Sequence, residues 1–452
     1  MKQAARQPVA SAEPGDRIGL DLGTTVLKGV RLRADGSLVA AAECPAIYSR
    51  PHDGWVETDP EAHWQAVAGL IRQLVGAAPG GVAAVAASGA SGNTLLADAD
   101  GRPLRPIINW MDRRCAGQPP PALAGLTPEA VRSVAGWPCL DIFPLAHLGW
   151  LLEHEPGTYG RAEHVGMNTD WLLFRLTGRW VMDTSTATTF HLQDQVARRW
   201  HTPYLERLKL SSSQLASLHA PGRTVGIVTE EAAAATGLSR GTRVVTGCFD
   251  HPAAARAASV REPGSLMLSC GTSWVAFLPW PDRQAIIDAG LLCDPFLSDA
   301  GGPWAGMLSV PAIGPVIDDY VRHVIAPGAV APLRVFDELA AQAPTGANGL
   351  QIDLRAPWRP LPGARRADVA RAVMEGAARL LAGRLRALES RGFRFRQAVV
   401  VGGPGRSPVW PSIIAAETGL ELTVGPLHAG ARGAALLAGE GCAEPSQGET
   451  SI

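Results

Sequence analysis

"RIGLDLGTTVLKGVRL", Arg17 to Leu32, decides the fold. A short apolar run enters Asp21, breaks at Gly23-Thr24-Thr25 and resumes as a second apolar run carrying Lys28. Two readings fit. One is a β-hairpin whose turn happens to be polar. The other is a phosphate cradle, in which glycine lets backbone N–H groups approach an anion and the hydroxyls add donors. The second half of the chain repeats the pattern. "GSLMLSCGTSWVAFLPW", Gly264 to Trp280, is again apolar run, Gly-Thr-hydroxyl turn, apolar run, with Gly271-Thr272-Ser273 where Gly23-Thr24-Thr25 falls. An internal repeat of this kind predicts two similar domains facing each other. Two facing turns would make a cleft suited to a polyphosphate, which favours the cradle.

Working outward, the Asp35-Gly36 turn predicts a third antiparallel strand over 37–44. "DPEAHWQAVAGLIRQLVG" has Asp59 at an N-cap, Pro60 at the first helical position and apolar residues at helical spacing. "GVAAVAASG" reads as a buried parallel strand, and Asp100-Gly101 as a further hairpin turn. This is a compact α/β order. Later, "GTRVVTGCFDHPAAARAASV" reads as strand, turn and a helix opened by Pro252, and "QAVVVGGPGRSPVWPSIIAAETGLELTV" as strand, Gly-rich turn, helix, strand.

The 452 residues suffice for two or three domains with a sizeable core. A formal net charge of -1 argues against nucleic-acid or membrane-surface partners, which need a basic field. Lysine occurs only at Lys2, Lys28 and Lys209, which makes Lys28 conspicuous. The seven scattered cysteines form no Cys-x-x-Cys pair and read as reduced thiols of a cytoplasmic protein. The N-terminal "MKQAARQPVASAEPGD" lacks the apolar core of a signal peptide, and no stretch approaches a membrane span. Residues 1–16 and 441–452 are expected to be disordered tails, with domains at 17–247 and 248–440.

Several signatures fail. Neither G-x-x-x-x-G-K-[ST] nor G-x-G-x-x-G occurs. "GLSRG", Gly237–Gly241, follows a helical stretch and precedes a strand, the reverse of a nucleophile elbow, so it reads as a helix C-terminal turn. The histidines show no metal-ligand spacing. Four pieces survive. Asp21, where the first strand ends, is a place for a carboxylate that holds Mg2+ through water. Thr24, Thr25 and Lys28 supply donors and charge to phosphate, and Gly271 and Thr272 do the same from the other domain. Gly402, Gly403 and Gly405 let backbone approach a ribose or flat ring. Asp250, two residues before a helical proline, reads both as an N-cap and as a general base at the inter-domain cleft.

Taken together and in order, "GLDLGTTVLKG", "GWVETDPEAHW", "LLADADGRPLRPIINWMDRR", "DWLLFRLTG", "GCFDHPAAARAASVREPGSLMLSCGTS", "VVVGGPGRSPVW" and "ARGAALLAG" resemble the FGGY carbohydrate kinases over nearly the whole chain. The resemblance implies two ribonuclease-H-like, actin-like ATPase domains with ATP and Mg2+ in the cleft between them. It implies Asp250 as the base that takes the acceptor hydroxyl proton and Asp21 at the magnesium–phosphate end. It implies a small sugar or polyol as substrate, a ketose being expected, and a homodimer as the common assembly. There are departures. The late turn reads Gly402-Gly403-Pro404-Gly405 in place of Gly-Gly-Gly-Ser, and His251-Pro252 stands in place of Asn-Ala. Ala90-Ser91-Gly92 replaces the Gln-Met-His of xylulose kinases. The lost side chains are expected to leave a gap suited to a longer or differently branched acceptor than D-xylulose, with Asn93, Asp112, Trp55 and Trp110 supplying contacts. Two alternatives stay open: a polyol or aldonic-acid kinase, and a nucleotide- or sugar-binding relative without kinase chemistry.

Overall fold

The computed structural model describes residues 15–271, 273–310 and 313–443. In chain order its framework is β1 (Asp16–Leu22), β2 (Val26–Leu32), β3 (Leu38–Pro45), α1 (Pro60–Gly76) and β4 (Val82–Gly89). After a long excursion come α2 (Asn168–Thr177), β5 (Thr224–Ile227), β6 (Arg243–Val245) and α3 (Asp250–Ala257). The second half has β7 (Ser265–Cys270), β8 (Trp274–Trp280), β9 (Leu292–Asp294), β10 (Trp304–Val310), α4 (Arg366–Glu389), β11 (Gln397–Gly402), α5 (Trp410–Thr418), β12 (Glu421–Val424) and α6 (Ala429–Ala443).

These strands form two six-stranded sheets, ordered β5-β6-β4-β1-β2-β3 and β9-β10-β8-β7-β11-β12. The repeat read in the sequence is real. In one sheet β1 is antiparallel to β2 and parallel to β4. In the other, β7 is antiparallel to β8 and parallel to β11. The expected helix α1 also forms, with Asp59 accepting from Ala62 N at 2.8 Å and proline first in the helix. Gly237 adopts the left-handed conformation that ends a helix, as "GLSRG" predicted.

Strand alternation divides the residues of β1 between two faces. Ile18, Leu20 and Leu22 join Trp64, Val67, Leu70, Ile71 and Leu74 of α1 in one core. Gly19 and Asp21 point the other way, toward α6. A Cβ on Gly19 would lie 2.0 Å from the Ala431 carbonyl oxygen, so glycine is what allows the last helix to lie on the first strand. Ala431, Ala434, Ala435 and Ala438 complete that seam against Val30, Leu32, Ala84, Ala86 and Val245. Helix α3 packs on α6 as closely: a Cβ on Gly433 would lie 1.8 Å from the Ala253 carbonyl oxygen.

The expected division at 247/248 falls just before α3; α6 lies on the first sheet, while α3 packs on α6 through Ala253 and on the second-sheet residues Met267 and Phe277 through Ala254 and Ala255. β1 begins at Asp16 and α6 reaches Ala443, so ordered structure extends into both stretches expected as tails. Residues 1–14 and 444–452 lie outside the described residues. The second sheet packs one face on α4 and α5, and the other on Trp137, Phe143, Phe249 and Phe296. That second cluster joins the two halves. Among the described residues, no helix is long and apolar enough to cross a membrane.

Candidate active site

The chain places chemistry at the cleft by ending strands there. Asp21 is the penultimate residue of β1, in register with Lys28 on β2 and Ser88 on β4. Helix α6 starts against it: a Cβ on Gly430 would come within 2.6 Å of Asp21 Oδ2. Ser88 Oγ, donating to the Gly430 carbonyl at 3.3 Å, is one tether of that helix start. Burial, reinforced by the nearby Asp250 carboxylate, raises the Asp21 pKa to about 7 even though Lys28 and His251 oppose the shift.

Asp250 lies in the same cavity, about 260 Å³, whose walls also include Lys28, His251, Ser269, Gly402, Gly405, Arg406, His428 and Gly430. The N-cap reading of Asp250 fails. Phe249 holds the cap position and Asp250 is already the first helical residue. Its Oδ1 accepts from His251 N at 2.7 Å and pairs with His251 Nδ1 at 2.6 Å. The backbone in front of it is fixed across the molecule. Phe249 N donates to Ser185 Oγ at 3.2 Å, and Ser185 Oγ donates to the buried Asp294 at the end of β9 at 2.7 Å. Arg256, near the other end of α3, donates to the Phe296 carbonyl at 3.2 Å. One corner of the second sheet therefore holds both ends of the helix that carries Asp250.

The predicted turns differ in what they leave free. At Gly23 a Cβ would meet the Val26 carbonyl oxygen at 2.7 Å, so the turn itself requires glycine. Thr24 Oγ1 accepts from Trp110 Nε1 at 3.1 Å, whereas Thr25 is exposed. Gly271 has open space where a side chain would be. Thr272 lies outside the described residues. In the late turn, Gly402 has φ +91° and Gly405 packs on the Val400 carbonyl oxygen, while Gly403 faces open space. Pro404 opens a short 3-10 turn, where a missing N–H costs nothing. Ser269 is a site residue that the sequence reading missed. It stands two before Gly271, as Asp21 stands two before Gly23, and both reach the cleft.

The four side chains expected to touch the acceptor separate into two groups. Asn93 and Trp110 line a small pocket of about 30 Å³ with Thr24, Tyr48, Ala90 and Asn168. Asn93 Oδ1 accepts from Trp110 N at 3.0 Å and its Nδ2 donates to Asn168 Oδ1 at 2.9 Å. Ala90 links this pocket to Asp250, because the preceding Gly89 bridges to Phe249. Trp55 and Asp112 belong elsewhere. Asp112 accepts from Val56 N at 2.7 Å and from Arg114 Nε at 2.9 Å, and the Arg114 guanidinium lies 3.8 Å over the Trp55 ring. Burial acts against it, yet these bonds hold the Asp112 pKa below its ordinary value. With its oxygens so engaged, this carboxylate is a scaffold for the turn. The expected gap at Ala90–Gly92 is filled at its Gly92 end. A Cβ on Gly92 would lie 2.6 Å from Phe143 Cδ1, so the phenylalanine ring occupies the space at that position, while Ala90 still lines the small pocket.

Among the described residues, no three His, Cys, Asp or Glu side chains converge into a metal cage. Mg2+ bound through one carboxylate, water and phosphate oxygens needs no such cage. Asp21, a desolvated carboxylate beside a second one, fits that donor set.

Comparison with known proteins agrees with this geometry. Residues 17–256 match the N-terminal domain, and 266–441 the C-terminal domain, of the FGGY family of carbohydrate kinases. The chain is 29% identical over 443 residues to the xylulose kinase of Escherichia coli (strain K12), covering 92% of this chain and 88% of that one. It is 27% identical over 475 residues to the autoinducer-2 kinase of Salmonella typhimurium (strain LT2), covering 96% and 87%. The crystal structure of xylulose kinase from Rhodospirillum rubrum superposes with a TM-score of 0.79 at 28% identity, over 95% of this chain and 91% of that one. Two facing sheets with a shared cleft, and family matches across both halves, lead to one conclusion: the chain belongs to the FGGY family of carbohydrate kinases and is a phosphotransferase acting on a sugar acceptor.

Proposed function

We propose that the protein transfers the γ-phosphoryl group of ATP to a hydroxyl of a small ketose, with Asp250 as general base. The observation that carries this reading is the cavity in which Asp250 and Asp21 stand together beside glycine turns of the second sheet. A protein that only bound nucleotide would have no use for the second carboxylate. Asp250 takes the acceptor O–H proton as the acceptor oxygen bonds to the γ-phosphorus. The bond from that phosphorus to the bridging oxygen breaks, and ADP leaves. The transition state is loose, so the base serves by placement more than by strength. Asp21 would hold Mg2+, which when bound neutralises phosphate charge. Lys28 adds positive charge beside it, and Gly403 and Gly271 leave backbone open to the nucleotide. Asn93, Trp110, Asn168 and the Phe143 ring bound the acceptor side.

Asp250→Asn is expected to lower sugar-dependent turnover by ~10²–10⁴ while calorimetric ATP binding survives. A variant within a few-fold of wild type would sink the assignment of the base. A coupled ADP assay across pentuloses, hexuloses, polyols and aldonic acids, at subsaturating acceptor, tests the substrate class. A ketose should give the highest kcat/KM, and a polyol or aldonic acid in first place would refute that part.

A further inference from the structure

We infer that His251 is a positioning residue for the base, fixing the Asp250 carboxylate so that Oδ2 is the atom that receives the proton. The inference rests on the kinase reading above. Both donors of residue 251, the backbone N at 2.7 Å and ring Nδ1 at 2.6 Å, converge on the same oxygen, Oδ1. Among the described residues no bond reaches Oδ2, and the carboxylate is only partly covered, at 27% exposure. An ionised carboxylate is an acceptor only, so the short contact assigns the ring proton to Nδ1. Two donors on one oxygen pin that oxygen and leave the other as the free acceptor of a residue that lines the cavity.

The ring is itself held. It lies 5.3 Å from the Phe249 ring at a 32° tilt and is followed directly by Pro252, whose φ is fixed. Phe249 in turn is tied through Ser185 to Asp294. A chain of contacts thus runs from the second sheet to the Oδ1 atom that fixes the carboxylate. Burial would lower the imidazole pKa, but Asp250, Asp21 and Asp294 outweigh it and hold it above its ordinary value, which strengthens the bond to Oδ1. A base that acts by placement depends on such an arrangement, since small misplacements of reacting groups cost rate steeply.

Two variants separate the donor from the ring. His251→Phe keeps the bulk beside Phe249 and deletes Nδ1. His251→Asn deletes the ring but can place an amide N–H where Nδ1 stands. We expect His251→Phe to lower kcat by about tenfold or more, with KM for ATP and the calorimetric ADP affinity within about twofold of wild type. His251→Asn should recover most of the loss. Three outcomes overturn the inference: full activity in His251→Phe, equal loss in both variants, or lost ADP binding in His251→Phe, which would mark a merely structural role. Asp250→Asn is measured alongside. If it stays active, the assignment of Asp250 as the base falls and the role of the histidine with it, whereas an inactive Asp250→Asn beside an unimpaired His251→Phe removes only the role of the histidine.

Discussion

At the scale of single residues, the carboxylates differ in their surroundings more than in their chemistry. Asp250 was legible because it stands two residues before a helical proline, and Asp21 because it sits beside a turn whose spacing repeats. Ser269 could have been found the same way, by sliding one hairpin onto the other. His251 stood out only as a departure, because its effect depends on a side-chain rotation that no spacing encodes. Asp112 and Trp55 were picked for their type, and only coordinates show that Arg114 holds them. Asp170, at the start of α2, was not legible at all. It is buried, its Oδ1 accepts from Met167 N at 2.7 Å, and its Oδ2 has no partner. Burial raises its pKa to about 8. A carboxyl whose pKa is higher folded than unfolded must take up a proton on folding. Its favourable contribution is complete below the unfolded value and is lost as pH rises to about 8. Asp170→Asn keeps the Oδ1 acceptor and removes the titration. Its melting temperature should exceed that of wild type by a few degrees at pH 8, with the difference closing toward about pH 4. A difference independent of pH would show that Asp170 is ionised throughout.

At the scale of elements, glycines decide how near two segments come, and here the same substitution should act in opposite directions. Gly433 on α6 leaves no room: an added Cβ would sit 1.8 Å from the Ala253 carbonyl oxygen of α3. Gly69 on α1 has nothing within 4 Å. Gly433→Ala should cost about 1–3 kcal/mol or more through overpacking. It should also lower kcat beyond the loss of folded protein, because it pushes away the helix that presents Asp250. Gly69→Ala should gain roughly 0.5–1 kcal/mol through helix propensity, with kcat unchanged. Denaturant titrations with parallel kinetics on refolded protein check both, and equal effects would refute the close α3–α6 contact. Strand order and helix starts were readable because pleat, caps and turns are local. The α6–β1 seam was not, since small residues on a C-terminal helix do not announce which sheet they will meet.

At the scale of the whole molecule, the duplicated sheet was visible in the sequence, but the partition of helices between the halves was not. Contacts such as Ser185–Asp294 and Cys293 N to the Gly136 carbonyl (3.1 Å) join segments far apart in the chain. The placement of α6 on β1 has a consequence for the order of synthesis. β1 is made long before α6, the helix that covers one of its faces. During elongation, Gly19, Val30, Ala84 and Ala86 stay uncovered by α6 until that helix has left the ribosome. At 5–20 residues per second, the interval between completing β6 and completing α6 is roughly 10–40 s. Nascent chains arrested before His428 should therefore be cut rapidly by protease within the first half, and full-length chains should resist. Equal resistance in both would mean that the first sheet closes without its last helix. Until α6 is in place α3 lacks the helix it packs against, so chains arrested before His428 should also lack sugar-dependent ADP release.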